Sequence, residues 1–512
     1  MTPMKKGLYL STVVVMIVIV LGIYMPRTEE VDIFAGDFGI QLLVADHLVR
    51  YNDIRFDGEI SSIDNGGEYI LHNSPIGYYL YGLLYLLGGK TIEGYLAAYF
   101  VLSIVQALFL FAFGFFVLGP PGGMVLLALS LFSRGAVMFA GFPSQMTNAV
   151  FVESVAIGVF GLYVRTRRTV WFWVACLLSI LATQLYPPMY LLIIPKVVLF
   201  FYYVRRIPLS PTNVLTAGVL GLYIYFPLIL QEYIYRWDNL IVLKSFLSLP
   251  GSTLALAEII KRFGINIHTL FSSLSWYSSL YTLWFVIGVV FLGAVLYRKK
   301  LITARFIFIL SMLLVPAAIL ALHPSQPYVV PNRAYLMVTF PYVWLFMGSL
   351  VSLFPRRVVY IMTFLFIAIS IWGNTASRPG NSTSISIPPK SLVFSIVEDL
   401  KTRQVDADAI DLFVISPDDS RSWDAGLYWY ELEQVIGKRF SRIAYESSKA
   451  RRISEAPAQT IYLICHRIKP EDVERKCKSV FEQQRMENYY GKLYRLIDSG
   501  QVVNHSYFVY QL

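Results

Sequence analysis

Charge is scarce in this chain. Of 512 residues only 15% are Asp, Glu, Lys or Arg, 56% are hydrophobic, and the mean hydropathy is +0.57. A soluble chain is nearer a quarter charged, so too little polar surface exists here to cover the apolar mass, which excludes an ordinary soluble enzyme. The same apolar excess excludes a disordered chain and a collagen. Cysteine is scarce too, with three in all. That excludes a disulfide scaffold and an iron–sulfur framework. No Gly-x-x-x-x-Gly-Lys-Ser/Thr phosphate loop occurs, no His-Glu-x-x-His and no Gly-x-Ser-x-Gly. The chemistries those motifs serve have no anchor in this sequence.

What charge there is falls unevenly. Residues 375–512 hold 37 of the 76 charged side chains, a soluble density, whereas residues 1–374 hold the remaining 39. Two parts follow: a membrane part over 1–374 and a soluble domain over 375–512. Lys and Arg outnumber Asp and Glu by 43 to 33, a formal +10. Their placement in short loops points to membrane topology and not to nucleic acid.

A bilayer-spanning helix needs roughly 20 mostly apolar residues. Windows that qualify lie at 8–25, 95–118, 121–140, 148–164, 170–185, 187–204, 212–231, 277–297, 303–322, 334–353 and 358–373. Only Tyr186-Pro187-Pro188 separates the fifth from the sixth, and one long kinked helix is the rival reading. Charge favours two. Basic residues gather on the cytoplasmic side of short loops. With Lys5 and Lys6 inside, eleven spans also put Arg165, Arg167, Arg168, Arg205, Arg206, Arg298, Lys299, Lys300, Arg305, Arg356 and Arg357 inside. The acids of this half then fall on the opposite face or at its edge, and merging the two spans destroys that order. The first span is expected to persist as an anchor: it follows a signal-like Lys5-Lys6, but Tyr24-Met25-Pro26-Arg27 makes an unsuitable cleavage site.

Eleven of the 15 acids of residues 1–374 crowd the outer loop 26–94. Most read as solvating carboxylates. Two stretches differ. Phe38, Leu42, Ala45 and Val49 recur at helical spacing, with Asp37 and Gln41 one turn apart. Such a helix is expected to lie along the membrane surface. His72-Asn73-Ser74-Pro75 then opens a second apolar stretch, Ile76 to Leu87, rich in the Tyr that favours the water–lipid boundary. Two interfacial helices thus flank an acidic loop.

This pattern resembles the GT-C superfamily of membrane glycosyltransferases, which includes protein O-mannosyltransferases and the lipid A aminoarabinose transferase. Their Asp at the start of the first outer loop is matched by Gly36-Asp37-Phe38-Gly39-Ile40-Gln41-Leu42-Leu43-Val44-Ala45. Their Pro-led, Tyr-rich juxtamembrane helix is similar to Asn73-Ser74-Pro75-Ile76-Gly77-Tyr78-Tyr79-Leu80. One departure stands out. Where the family carries a second acid in a Thr-Asp-Ala setting, this chain reads Thr147-Asn148-Ala149. The resemblance implies a polytopic α-helical membrane protein of about eleven transmembrane helices, with a small α/β domain on the non-cytoplasmic side. It also implies transfer of a sugar from a polyprenyl-phosphate donor to a glycan, lipid or protein acceptor; a bacterial or archaeal plasma membrane is expected, with an endoplasmic-reticulum membrane as the alternative.

Phosphate is a good leaving group, but an acceptor hydroxyl is a poor nucleophile and needs a base. Asp37 is the candidate, and direct displacement would invert the anomeric centre. The bland alternative is a helix cap. Arg333 and Tyr335, in Pro331-Asn332-Arg333-Ala334-Tyr335, are candidates for the donor phosphate; a snorkelling Arg is the alternative. Arg236, Lys244, Lys261 and Arg262 are weaker ones. Glu68, His72, Glu153 and His47 are candidates for acceptor or metal contacts; a divalent metal is conceivable and the cofactor otherwise unknown. Cys465 and Cys477 form an even pair.

In the C-terminal part, helices are expected over 391–403, 424–436 and 470–484, with strands over 411–415, 460–465, 489–497 and 507–511. A lipid-linked sugar transporter or flippase and a non-catalytic assembly protein are the rival functions. Transporters hold ionisable residues near the midplane, which this reading takes to be nearly free of charge.

Overall fold

The computed structural model describes residues 3–24, 35–54, 74–140, 143–204, 210–234, 237, 256–272, 274, 304–322, 336–352, 354–376, 390–403, 410–415, 425–436, 460–466, 473, 477, 495–502 and 505–511. Fourteen helices of the first 376 residues are described: α1 (Pro3–Tyr24), α2 (Ala35–Tyr51), α3 (Ile76–Leu87), α4 (Ile92–Val117), α5 (Pro120–Phe132), α6 (Arg134–Phe139), α7 (Gln145–Thr166), α8 (Thr169–Leu185), α9 (Ile193–Val204), α10 (Pro211–Ile234), α11 (Leu256–Ser272), α12 (Ala304–Leu322), α13 (Phe340–Val351) and α14 (Arg356–Ala376). Ten of the eleven expected spans fall on these helices; the window 277–297 lies outside the described residues.

Local chemistry sets the boundaries. Thr91 caps α4, its hydroxyl accepting the Gly94 N–H at 3.1 Å, and Ser144 caps α7 by accepting the Thr147 N–H at 3.0 Å. The return from α3 into α4 is so tight that a Cβ on Gly94 would sit 1.6 Å from the Gly88 carbonyl oxygen. Between α8 and α9 the two prolines impose a short 3-10 turn, Pro187–Leu192, and two helices result instead of one.

Helices α4, α5, α7 and α8 pack side by side, with α13 and α14 against α5. Small residues permit it. A Cβ on Gly158 of α7 would lie 2.7 Å from the Phe109 ring and 2.8 Å from its carbonyl oxygen. This is how helices associate where lipid supplies no hydrophobic drive. The outward faces are apolar: Leu215, Val219, Leu222, Tyr223 and Phe226 of α10, and Ile361, Phe364, Leu365 and Trp372 of α14, are all exposed. Water would not tolerate that surface; a bilayer requires it. Helices α4, α7, α10 and most of α14 are each long and apolar enough to cross one. The chain is an integral membrane protein.

The C-terminal part holds α15 (Lys390–Arg403), β1 (Ile410–Ile415), α16 (Ala425–Ile436), β2 (Thr460–His466), β3 (Arg495–Val502) and β4 (His505–Gln511). The sheet order is β1-β2-β4-β3, with β1 parallel to β2 and the other pairs antiparallel. Of the strand expected over 489–497, residues 489–494 lie outside the described residues. β3 runs from Arg495 to Val502, because it pairs with β4 through Val502 opposite His505. The helix expected over 470–484 falls largely outside the described residues. Cys465 and Cys477 are bonded as a disulfide. Tyr462 of β2 donates its hydroxyl proton to Asp399 of α15 at 2.6 Å, fastening helix to sheet.

The two parts share one core. Leu42–Ala45 of α2, Tyr78, Tyr81 and Tyr85 of α3 and Tyr95 and Tyr99 of α4 are continuous with Val393, Ile396, Leu412, Tyr430, Leu432, Tyr462 and Val509 of the C-terminal part. This corrects the expectation for α2. It does not lie half-exposed along a surface: every residue from Gln41 to His47 is buried, with α3 on one side and α16 on another.

Candidate active site

Asp37 is the third residue of α2, so it stands inside the first helical turn and not at the residue before it. That backbone position disfavours the cap reading, since a capping residue precedes the helix. Gln41, one turn on, is buried.

The far half of α2 carries a buried polar cluster. The Asp46 carboxylate accepts the Tyr85 hydroxyl at 2.8 Å and the Arg50 guanidinium at 3.1 Å. The Tyr85 hydroxyl also meets that of Tyr430, on α16, at 3.0 Å. Burial pushes the Asp46 carboxyl above the usual carboxylate range, against the opposing pull of Tyr85 and Arg50. Burial and the neighbouring Tyr430 likewise raise the Tyr85 phenol. His47 is buried and its Nε2 lies 2.7 Å from Oε2 of Glu433, which is also buried, on α16.

A second cluster lies deeper, between helices. Glu153 of α7, almost fully buried, accepts from Lys196 Nζ of α9 at 2.7 Å and from Ser179 Oγ of α8 at 3.4 Å. The Tyr342 hydroxyl of α13 also donates to it. Eight residues along α7 separate Glu153 from Gln145, about 12 Å at 1.5 Å per residue. The membrane interior is therefore not free of charge, which corrects the expectation. Lys196 and Tyr342 escaped notice in the sequence. Lys196 was legible in principle, as the one cation inside the apolar run 187–204.

Asn148, where relatives of the resembling family place an acid, is fully buried, and its amide has no hydrogen-bond partner among the described residues. The Gln231 amide, buried at the end of α10, is in the same position. Buried unsatisfied amides are rare and call for a cause.

Of the described candidates, His47 and Glu153 are not brought together. His47 is engaged by Glu433 and Glu153 by Lys196, in different clusters. Among the described residues no group of three or more His, Cys, Asp or Glu is placed to hold a metal ion. Arg333, Tyr335, Glu68, His72, Arg236 and Lys244 lie outside the described residues. Arg262 pairs with Glu258 at 3.0 Å on α11, and Lys261 approaches the same acid at 3.8 Å.

No family model matches the chain, and no curated protein does. Solved structures do. The likeness is one of fold. In particular, the chain is similar to ArnT from Cupriavidus metallidurans, both apo and bound to undecaprenyl phosphate. Each comparison has a TM-score of 0.55 at 10% identity over 98% of both chains. An oligosaccharyltransferase from Archaeoglobus fulgidus is a looser likeness, with a TM-score of 0.48 at 12% identity over 86% of this chain and 65% of that one.

Proposed function

We propose that this protein is a glycosyltransferase. It moves a sugar from a polyprenyl-phosphate donor to a glycan, lipid or protein acceptor on the non-cytoplasmic face of a bacterial or archaeal plasma membrane. The observation that carries the reading is the fold shared with ArnT along nearly the whole of both chains, one of those structures holding undecaprenyl phosphate. The Cys465–Cys477 disulfide supports the sidedness, since such bonds persist in oxidising compartments and rarely in the cytosol.

In the proposed step, Asp37 takes the proton of the acceptor hydroxyl. The oxygen attacks the anomeric carbon as its bond to the phosphate oxygen breaks, and polyprenyl phosphate leaves with the electron pair. Arg333 and Tyr335 stabilise the charge on that phosphate. Inversion at the anomeric carbon follows from a single displacement.

A second reading, a transporter of lipid-linked sugars, draws on the Glu153–Lys196 pair, because intramembrane ionisable residues mark ion and substrate paths. One experiment separates them. Proteoliposomes loaded with a panel of undecaprenyl-phosphate hexoses and pentoses are mixed with surface glycans and lipids from a strain lacking the protein, and products are read by mass spectrometry. A transferase yields a product heavier by one sugar together with free undecaprenyl phosphate. Donor movement between leaflets with no new glycosidic product supports transport instead.

A further inference from the structure

Helix α2 does not owe its position to the membrane part alone. Helix α16, 386 residues further along the chain at the His47–Glu433 contact, packs against it through polar contacts, two of them buried. His47 Nε2 meets Glu433 Oε2 at 2.7 Å, the Arg50 guanidinium donates to the Gln434 side chain, and Tyr430 joins the Tyr85–Asp46 pair at 3.0 Å. The groups facing this seam are Asp46, Arg50 and Tyr51 from α2, Tyr85 from α3, and Tyr430 and Gln434 from α16. The hydrophobic core runs across the same seam without a break.

Glu433 has a side-chain exposure of 0% and His47 of 1%. A carboxylate so placed is costly to leave without its partner. Sliding α16 along α2, or lifting it, would leave both buried groups without their partner. A helix is also stiff along its length, so what fixes His47 fixes the turn that holds Asp37, ten residues or about 15 Å away. Asp37 must approach an acceptor hydroxyl to within hydrogen-bond distance, and small misplacements of a catalytic group are expensive.

We propose that Glu433, acting through His47, is a positioning residue for Asp37, and that the C-terminal domain is a fixed clamp on the catalytic helix instead of a lid that opens in each cycle. This rests on the reading of Asp37 as the base. Asp399 supplies the internal control: it binds Tyr462 and Arg403 within the C-terminal domain.

The test uses the full-length protein in proteoliposomes, with the undecaprenyl-phosphate sugar that supports turnover and release of undecaprenyl phosphate as the readout. Glu433→Gln should lower kcat about 10- to 100-fold at an unchanged donor KM, the scale of a small displacement at the reacting atoms. Exchanging the pair, His47→Glu with Glu433→His, should restore much of that loss. Asp399→Asn should lower the melting temperature and leave kcat alone. Glu433→Gln with lowered melting temperature but wild-type kcat per folded molecule would overturn the proposal. A second measurement does not depend on how Glu433→Gln folds. In a Cys176→Ser background, Arg50→Cys and Gln434→Cys are joined by a short bis-maleimide. A clamp predicts that cross-linking leaves the kcat of this double-cysteine protein as it was before the linker was added; a lid predicts arrest, which would overturn the proposal. Asp37→Asn runs alongside. Wild-type turnover there would sink the base assignment whatever Glu433 does, while an inactive Asp37→Asn beside a fully active Glu433→Gln would sink the positioning role alone.

Discussion

Replacing Lys196 by Met removes the cation that neutralises Glu153. The carboxylate is 1% exposed and the ammonium 17%, with 2.7 Å between them, so neither is screened by water in the folded state. Ser179 and Tyr342 still donate to Glu153 in the variant, but two neutral hydroxyls do not replace a charge. Breaking a buried pair by removing one partner costs about 3–5 kcal/mol, because the survivor stays buried or must take up a proton. Replacing both partners by neutral groups of similar size is often near neutral. Lys196→Met is therefore expected to be the severe variant, and Glu153→Gln with Lys196→Met should recover most of the loss. Stability is read by thermal unfolding of the detergent-solubilised protein, followed by size-exclusion chromatography. A cycle in which Lys196→Met costs under about 1 kcal/mol, or the double variant costs the sum of the singles, would refute the pairing. Donor turnover in the double variant then assigns the pair's role. Retained transfer makes it structural; lost transfer in a stable protein makes it part of the reaction path.

Other outcomes follow from the same packing and charges. Gly158→Val puts a Cβ into the Phe109 ring and carbonyl and should cost about 1–3 kcal/mol in thermal unfolding, with Gly158→Ala milder. Asp46 has a folded pKa raised above its ordinary value by burial, so its ionisation works against folding as pH rises through that pKa, and below the unfolded value the effect is absent. Asp46→Asn should thus gain stability relative to wild type at pH 7, with the gain vanishing towards pH 4; a difference independent of pH would contradict it. Replacing Cys465 and Cys477 by Ser frees a loop of 12 residues and should destabilise the C-terminal domain by about 3 kcal/mol, seen as earlier proteolysis there.

Much of this molecule was legible because its signals are local. The 3.6-residue pattern over 38–49 and the Pro75-led Tyr-rich stretch each gave a helix where expected. Tyr186-Pro187-Pro188 broke the chain as two prolines must. What escaped notice depends on residues far apart in sequence. The apolar pattern of α2 identified one buried face, but α16 covers another, and nothing within 35–51 announces a partner at 425–436. His47 looked like a free ligand for the same reason, its partner Glu433 being 386 residues away. Glu153 is an acid in one span and Lys196 a cation in another, and only the first was noticed. Their pairing across 43 residues and a proline break required the fold. The extension of β3 beyond Ile497 to Val502 reflects its pairing with β4, which residues 489–497 do not encode.

If Asp37 is the base that activates the acceptor, transfer must depend on its carboxylate. Single-turnover transfer by Asp37→Asn, reconstituted beside wild type and Asp57→Asn, tests it most directly. Asn keeps the side-chain shape and removes the base, and loss of a general base costs about 100- to 10,000-fold in rate. The account predicts that Asp37→Asn inserts and folds like wild type but transfers slower by that factor, while Asp57→Asn keeps its rate. Full-rate transfer by Asp37→Asn would contradict the account and move the search for the base to Asp32, Asp46 or Glu68.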